Sequence, residues 1–122
     1  MAAPNPNAMS FPEQLAHINE YMSKYGESQS NTMQAFMALH KAGHEDGALS
    51  SKVKELIALS VAVASRCDGC ICFHTHDALQ AGATSEEIHE ALGVAVLMGG
   101  GPALMYATHV VEAIEQFEAQ GH

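Results

Sequence analysis

Apolar residues recur at intervals of three and four along most of the chain, which is the spacing of an amphipathic helix. The first stripe follows Ser10, a residue type that favours helix starts, and is bounded by Gly26. Its apolar positions are Leu15, Ile18, Met22 and Tyr25. No segment shows the alternation of apolar and polar residues that is typical of a β-strand. The pattern therefore predicts an all-α fold.

Five further helices are predicted from residues that commonly begin or end helices. Their predicted starts lie near Ser30 or Asn31, at Ser50 or Ser51, near Cys70, at Thr84 and at Pro102. Thr84 is the best defined start, because Glu87 three residues later completes a capping-box pattern. The second, fourth and fifth helices are predicted to end at Gly43, Gly82 and Gly99–Gly101. The sequence thus predicts about six helices.

The chain has 122 residues, which is enough for one compact domain. Residues 1–9 contain Pro4 and Pro6 and lack apolar periodicity, so we predict a flexible N-terminal arm followed by a single domain over residues 10–122. Two helices of that domain, 54–64 and 88–98, are apolar on nearly all sides and must be covered all round. Either they are central in the monomer or, as we favour, the chain forms a homo-oligomer.

The net charge of the chain limits the classes of molecule that it is expected to bind. Five Lys and Arg against fourteen Asp and Glu give a formal net charge of −9. Because contacts with phosphates need clustered cations, we expect neither nucleic acid nor an anionic membrane surface as a partner. The N-terminus lacks the basic and apolar regions of a secretory signal, and the apolar runs are expected to be too short to span a bilayer. We therefore expect a cytoplasmic protein.

All three cysteines lie within six residues, at Cys67, Cys70 and Cys72. Such clustering indicates local redox chemistry or metal binding rather than a framework of disulfides. Cys67 and Cys70 lie at a turn that enters a helix, so they are placed to form a disulfide, and a helix N-terminus lowers the pKa of a thiol. His74 follows Cys70 by one helical turn and lies on the same face, where it can accept the proton of a thiol.

Glu55 lies near the start of the preceding helix, among Val53, Leu56 and Ile57. Since short connections bring successive helices together, this carboxylate is a candidate to orient His74 or to take its proton. The competing interpretation is an exposed first-turn glutamate that interacts only with the helix dipole. Spacing alone slightly favours the second interpretation.

Glu55, Cys67, Cys70 and His74, separated by eleven, two and three residues, resemble the signature of alkylhydroperoxidase D (AhpD)-like proteins of the carboxymuconolactone decarboxylase superfamily. The resemblance covers roughly residues 30–115. It implies an all-α homo-oligomer, as a dimer, trimer or hexamer, that acts as a thiol-dependent peroxidase or disulfide oxidoreductase without a metal or other cofactor. It further implies that Cys70 attacks the substrate, that Cys67 resolves the intermediate, and that Glu55 and His74 form a proton relay.

The same resemblance implies a hydroperoxide or a disulfide as substrate and a lipoyl-bearing or thioredoxin-like protein as reductant. Members characterised as alkyl hydroperoxidases often carry a histidine between the two cysteines, where this chain has Asp68 and Gly69. A general thiol–disulfide oxidoreductase therefore stays open beside a peroxidase. The decarboxylase branch lacks the cysteine pair, so lactone decarboxylation is not expected.

Two alternatives to a redox enzyme also stay open. One is a zinc-binding structural or regulatory module. Its ligands would be Cys67, Cys70 and His74, with Cys72 or His76 as a fourth. The other is a redox-inactive assembly protein with the same fold.

The remaining candidates have structural interpretations that we favour. Cys72 is expected to be a small buried apolar residue, and His76 lies on a different helix face from His74. His89 and His109 are expected to be structural histidines. The sequence has eight histidines, and several, such as His40, lie far along the chain from the cysteines.

Overall fold

The computed structural model describes residues 9–121, and these residues form five α-helices and no strand. The helices are α1 (Phe11–Ser28), α2 (Ser30–His44), α3 (Ser51–Ala64), α4 (Asp68–Gln80) and α5 (Ser85–Ala119). The predicted all-α fold is confirmed. The flexible arm predicted for residues 1–9 lies, apart from Met9, outside the described residues.

Side-chain caps confirm three of the predicted helix starts. The capping hydroxyls belong to Ser10, Ser50 and Thr84. Each accepts a hydrogen bond from the backbone amide three residues later, which satisfies one of the free donors at a helix N-terminus. At Ser10 and Thr84 the third residue is a glutamate whose carboxylate accepts the amide of the cap in return, so both starts are capping boxes.

The first two helices run further than predicted. α1 continues through Gly26 to Ser28, and a Cβ added at Gly26 would lie 3.3 Å from the Cγ atom of Met33 on α2. Gly26 therefore permits the close approach of α2 and does not end α1. α2 likewise passes the predicted stop at Gly43 and ends at His44.

The longest helix, α5, contains the break predicted at Gly99–Gly101. Gly100 has φ 68° and ψ −150°, a backbone conformation that is essentially restricted to glycine. α5 is thus two helical segments that meet at a kink, and Pro102 lies in the first turn of the second segment. With α5 counted as two segments, residues 9–121 form the six helices that the sequence predicts.

Replacing Gly100 with alanine is expected to lower the free energy of unfolding by about 1–3 kcal/mol, because a Cβ disfavours this backbone conformation. Gly101→Ala is the matched control, since its φ is not positive and an added Cβ meets no atom within 4 Å. Urea unfolding followed by circular dichroism measures both variants. Equal stability of the two variants would contradict the assignment of strain to position 100.

Helices α3, α4 and α5 form the centre of the molecule. Its largest fully buried apolar side chains are Leu59, Val63, Ile71, Ile88 and Val110. α1 buries Phe11 and packs on α4 and α5, whereas α2 packs on α1 and α3 and has no fully buried residue. The two helices that carry Glu55 and the cysteines therefore belong to the buried layer, while α2 lies over them from the outside.

An apolar groove of about 390 Å³ runs between α3 and α5 on the surface, and we call it the α3–α5 groove. Its lining includes Val53, Ile57, Val61, Val94 and Met98. Met98 is 80% exposed, and its neighbour Leu97 is 79% exposed. The monomer thus covers the two strongly apolar helices on one side only.

By length and composition α5 is apolar enough to cross a membrane. This corrects the expectation that every apolar run is too short, because residues 91–108 contain no charged side chain. In the fold this helix is interrupted at Gly100, and one of its faces packs on α3 and α4. α5 is therefore a central element of the helical core.

Candidate active site

A tight turn between α3 and α4 places the cysteine pair at a helix start. Arg66 has φ 58°, the left-handed conformation, and the amides of Arg66 and Cys67 donate to carbonyls of the last turn of α3 at 3.1 and 3.0 Å. This pattern is a Schellman motif, with arginine at the position where glycine is usual. Cys67 then caps α4, because its Sγ accepts the amide of Cys70 at 3.2 Å. α4 therefore begins at Asp68, two residues before its predicted start.

Cys67 and Cys70 are joined in a disulfide, and their Cα atoms are 5.2 Å apart. The pairing expected from the spacing is thus present. Because the Sγ of Cys67 receives an amide hydrogen bond at the N-terminus of α4, a negative charge on this sulfur is stabilised when the disulfide opens.

Glu55 is buried, with 3% of its surface exposed, so it is not the solvent-facing first-turn glutamate of the competing interpretation. Its Oε2 accepts a hydrogen bond from Nδ1 of His74 at 2.7 Å, and its Oε1 accepts one from Nδ1 of His44 at 2.5 Å. The other nitrogen of His44, Nε2, lies 3.0 Å from the Oγ atom of Ser51. One buried carboxylate therefore bridges two imidazoles, one from α4 and one from the end of α2.

This arrangement changes the proton affinity of both Glu55 and His74. Burial by itself would raise the pKa of Glu55, but the hydrogen bonds from His74 and His44, together with their charges, hold it below its ordinary value. The hydrogen bond to Glu55 raises the pKa of His74, against the opposing effect of burial and with added attraction from Glu55 and Asp77. His74 is therefore a stronger base than a free imidazole.

An apolar pocket of about 330 Å³ opens beside the disulfide, and we call it the disulfide pocket. Cys67, Cys70 and His74 all line it. Its apolar walls come mainly from α1 and α2 and include Ile18, Met22, Phe36 and Met37. A molecule that enters this pocket meets both sulfurs and an imidazole in largely apolar surroundings.

A polar cleft of about 600 Å³ lies near the other end of the Glu55 cluster, and its lining includes His44, Ser51 and Asp77. His40 lines both this cleft and the disulfide pocket. Its ring centroid lies 6.3 Å from that of His74 and 6.0 Å from that of His44. His40 thus extends the pair of imidazoles on Glu55 into a cluster of three rings.

His40 and His44 are site residues that the sequence did not predict. Both lie on α2, which is remote from the cysteines along the chain and reaches them only through the packing of the folded protein. A signal was present, since two histidines four residues apart lie on the same face of a helix. That spacing could have marked α2 as a contributor to a polar site.

The side chains of Cys72 and His76 form no hydrogen bond with the disulfide or with the Glu55–His74 pair among the described residues. Cys72 is fully buried, and its Sγ lies 3.6 Å from Oε1 of Gln14. Burial, with a smaller effect from Asp68, raises the pKa of Cys72 to about 11, so its thiol is unreactive at neutral pH, in agreement with the structural interpretation. His76 pairs with Asp77, at 3.1 Å between Nδ1 and Oδ1, and not with Cys72.

Asp68, which lies between the two cysteines in sequence, is paired with a histidine from α5. Nδ1 of His109 lies 2.6 Å from Oδ1 of Asp68, and its ring packs against Tyr106 with centroids 5.0 Å apart. His109 therefore links α5 to the start of α4, a structural role like the one expected from the sequence. His89 is exposed on α5.

Within residues 9–121, one trio of potential metal-binding side chains comes together, namely Glu55, His74 and Asp77, with ligand atoms within 4.8 Å of one another. Glu55 and His74 already bind each other at 2.7 Å, so we assign no metal ligands here. The zinc ligand set considered from the sequence is not assembled either. The sulfurs of Cys67 and Cys70 are bonded to each other.

Comparisons with known proteins place most of the chain in one protein family. The model of the carboxymuconolactone decarboxylase family matches residues 30–113. An uncharacterized protein of Cupriavidus necator is 43% identical over 105 residues, which cover 86% of this chain and 90% of that protein. The protein called uncharacterized protein 4 in the cox locus of Paracoccus denitrificans is 36% identical over 110 residues, covering 90% and 96% of the two chains.

Two solved structures are also similar. A carboxymuconolactone decarboxylase family protein from Legionella pneumophila superposes with a TM-score of 0.85 at 45% identity, over 88% of this chain and 96% of that one. A family protein from Thermotoga maritima, for which a part in the antioxidative response has been suggested, superposes with a TM-score of 0.69 at 33% identity, over 74% and 93% of the chains. The fold and the sequence thus agree, and this chain belongs to the carboxymuconolactone decarboxylase family as an AhpD-like member.

Proposed function

We propose that the protein is a thiol-dependent peroxidase or disulfide oxidoreductase whose redox centre is the Cys67–Cys70 pair. The observation that carries this proposal is a disulfide that opens on an apolar pocket next to His74, an imidazole held by the buried carboxylate of Glu55. The antioxidative role suggested for the relative from Thermotoga maritima supports an oxidant as the substrate.

The reaction begins with both cysteines reduced. Cys70 and His74 are one helical turn apart on α4 and line the same pocket, so Nε2 of His74 takes the proton of the Cys70 thiol. Glu55 keeps Nδ1 of the ring as a donor and stabilises the imidazolium that forms. His74 and Glu55 thus act as the proton relay that the resemblance implies.

The Cys70 thiolate then attacks the terminal oxygen of a hydroperoxide. A sulfur–oxygen bond forms, the oxygen–oxygen bond breaks, and the alcohol leaves with the proton from His74. The Cys67 sulfur attacks the resulting sulfenic acid, so that the disulfide forms and water leaves with the Cys67 proton. Cys70 is thereby the attacking thiol and Cys67 the resolving one.

A dithiol returns the enzyme to its reduced state by giving up two electrons and two protons and becoming a disulfide itself. The apolar walls of the pocket favour a substrate or a reductant arm with an aliphatic or aromatic body. A lipoyl-bearing or thioredoxin-like protein is the reductant that we include in the proposal. We also include a cytoplasmic location, where the free thiol of Cys72 is stable.

Counting thiols tests this proposal directly. The reduced protein is denatured and its thiols are counted before and after one equivalent of cumene hydroperoxide, and zinc is measured on the same sample. We expect the three thiols present in the sequence to fall to one. In a Cys72→Ser control the count should fall from two to none. Persistence of all three thiols, or one zinc ion per chain, would contradict the redox function.

We also propose that a second copy of the chain covers the α3–α5 groove, so that the protein is a homo-oligomer. The support is the contiguous apolar surface around Val94, Leu97 and Met98, which are 60%, 79% and 80% exposed in the monomer. An apolar surface of this kind on a soluble chain is typical of an interaction site. Self-association buries the apolar helices that the monomer leaves half covered.

Leu97→Glu is expected to shift the protein towards the monomer, because it places a charge in an apolar contact. Light scattering coupled to size exclusion measures the mass of the wild type and of the variant at equal concentration. Glu118→Gln, also an exposed position on α5 but remote from the groove in sequence, is the control and should leave the mass unchanged. A monomeric wild type at micromolar concentration would contradict the proposal.

A further inference from the structure

His44 holds a defined position in the site that the mechanism above does not use. It is the last residue of α2, and its Nδ1 donates to Oε1 of Glu55 at 2.5 Å. Its Nε2 lies 3.0 Å from Oγ of Ser51, whose amide donates to Oδ1 of Asp46 at 2.6 Å. The first two turns of α3 thus hold the imidazole through both of its ring nitrogens. Because a hydroxyl can donate or accept, Ser51 accommodates either protonation state of His44.

We propose that His44 is a positioning residue that fixes Glu55 and shares its negative charge, and so sets how readily His74 takes up and releases a proton. This inference deepens the proposed function and rests on it, since proton exchange at His74 matters for turnover only if His74 serves Cys70. The effect of His44 on the titration midpoint of His74 can be measured without any turnover.

Two imidazoles share the carboxylate of Glu55 through one hydrogen bond each. Glu55 is buried, and each of its oxygens has one imidazole partner, at 2.7 Å from His74 and 2.5 Å from His44. If His74 were the only partner, the whole charge of Glu55 would favour the imidazolium form of His74. The second donor partly neutralises that charge, which makes His74 release its proton more easily.

Other titratable groups lie near Glu55, His44 and His74. They are His40 on α2, Asp46 in the following turn, Lys52 on α3 with its partner Glu87 on α5, and Asp77 on α4. Among them Asp77 favours the protonated form of His74. These side chains are unchanged in the His44 variants, so a change in the titration of His74 reports on His44.

The experiment follows the ring carbon resonances of ¹³C-labelled histidine by NMR as a function of pH, with His74 assigned from a His74→Gln variant. In His44→Leu, which loses the donor to Glu55, the titration midpoint of His74 should rise by about 0.5–1 pH unit. In His44→Gln, whose amide can still donate to Glu55, the midpoint should rise by less. His89→Gln, at an exposed position on α5, is the control and should not move it.

An unchanged or lower midpoint in His44→Leu would overturn the proposal. If that variant does not fold, His44→Gln decides the question: an amide N–H is a weaker donor to Glu55 than the ring N–H of His44, so the midpoint should still rise, and an unchanged midpoint would overturn the proposal. Where hydroperoxide turnover is measurable, the acidic limb of kcat/KM should move to higher pH by the same amount. Absence of turnover together with the expected NMR shift would contradict the proposed function and leave the role of His44 standing.

Discussion

Cys70→Ser is expected to abolish hydroperoxide turnover, with a loss of about 10³-fold or more, because the attacking nucleophile is removed. Cys67→Ser is expected to behave differently. It should consume one equivalent of hydroperoxide and then stop at the sulfenic acid, since no second cysteine lines the disulfide pocket to resolve it. The measurement is the residual hydroperoxide per mole of reduced protein, together with the mass of the product.

Cys72→Ser is the matched control, because this thiol is fully buried and Cys67 and Cys70 form the disulfide without it. It should retain full turnover. The opposite pattern, with one equivalent consumed by Cys70→Ser and none by Cys67→Ser, would contradict the assignment and make Cys67 the attacking thiol. That outcome has a physical basis in the structure, since the Cys70 amide stabilises charge on Cys67.

The fold was predictable because its signals are local. Caps such as Ser10 and Thr84 and a break such as Gly100 depend on a few neighbouring residues, and the structure has all of them at the predicted places. The incorrect predictions concern helix ends whose positions depend on tertiary contacts or on an unusual cap. Gly26 looks like a helix stop, yet it serves the packing of Met33, and Cys67 begins α4 early because its sulfur replaces the usual hydroxyl cap.

The candidate site divides in the same way. Cys67, Cys70 and His74 lie within eight residues on one turn and helix, so their proximity follows from helix geometry. The burial of Glu55 depends on how α3 packs against α4, which spacing could not decide. The contact between His44 and Glu55 depends on the turn between α2 and α3, which is held by hydrogen bonds of Ser51 to Asp46 and His44. No local sequence pattern predicts that contact.

Glu55→Gln is expected to lower turnover by roughly 10²-fold and the free energy of unfolding by about 1–3 kcal/mol. An amide has one accepting oxygen and one donating nitrogen, so it can accept from only one of the two imidazoles. The NH₂ group then faces the N–H of the other ring. The amide also lacks the negative charge that stabilises the protonated form of His74.

The pH dependence of stability distinguishes an ion pair between Glu55 and His74 from a purely steric effect of the Glu55→Gln substitution. The pKa of His74 is raised in the folded protein, so its contribution is complete below the ordinary histidine value of about 6.5 and is lost as the pH rises through the folded value. The pKa of Glu55 is lowered, so its contribution is complete above about 4.3 and is lost as the pH falls through the folded value.

The stability difference between wild type and Glu55→Gln should therefore be largest between about pH 4.3 and 6.5 and should shrink above that window, where His74 loses its proton in both proteins. Urea unfolding at pH 5, 6, 7 and 8 measures it. A difference that stays constant over this range would mean that Glu55 holds His74 by shape and hydrogen bonding alone. In that case the charge of Glu55 would not stabilise the imidazolium on which proton transfer from Cys70 depends.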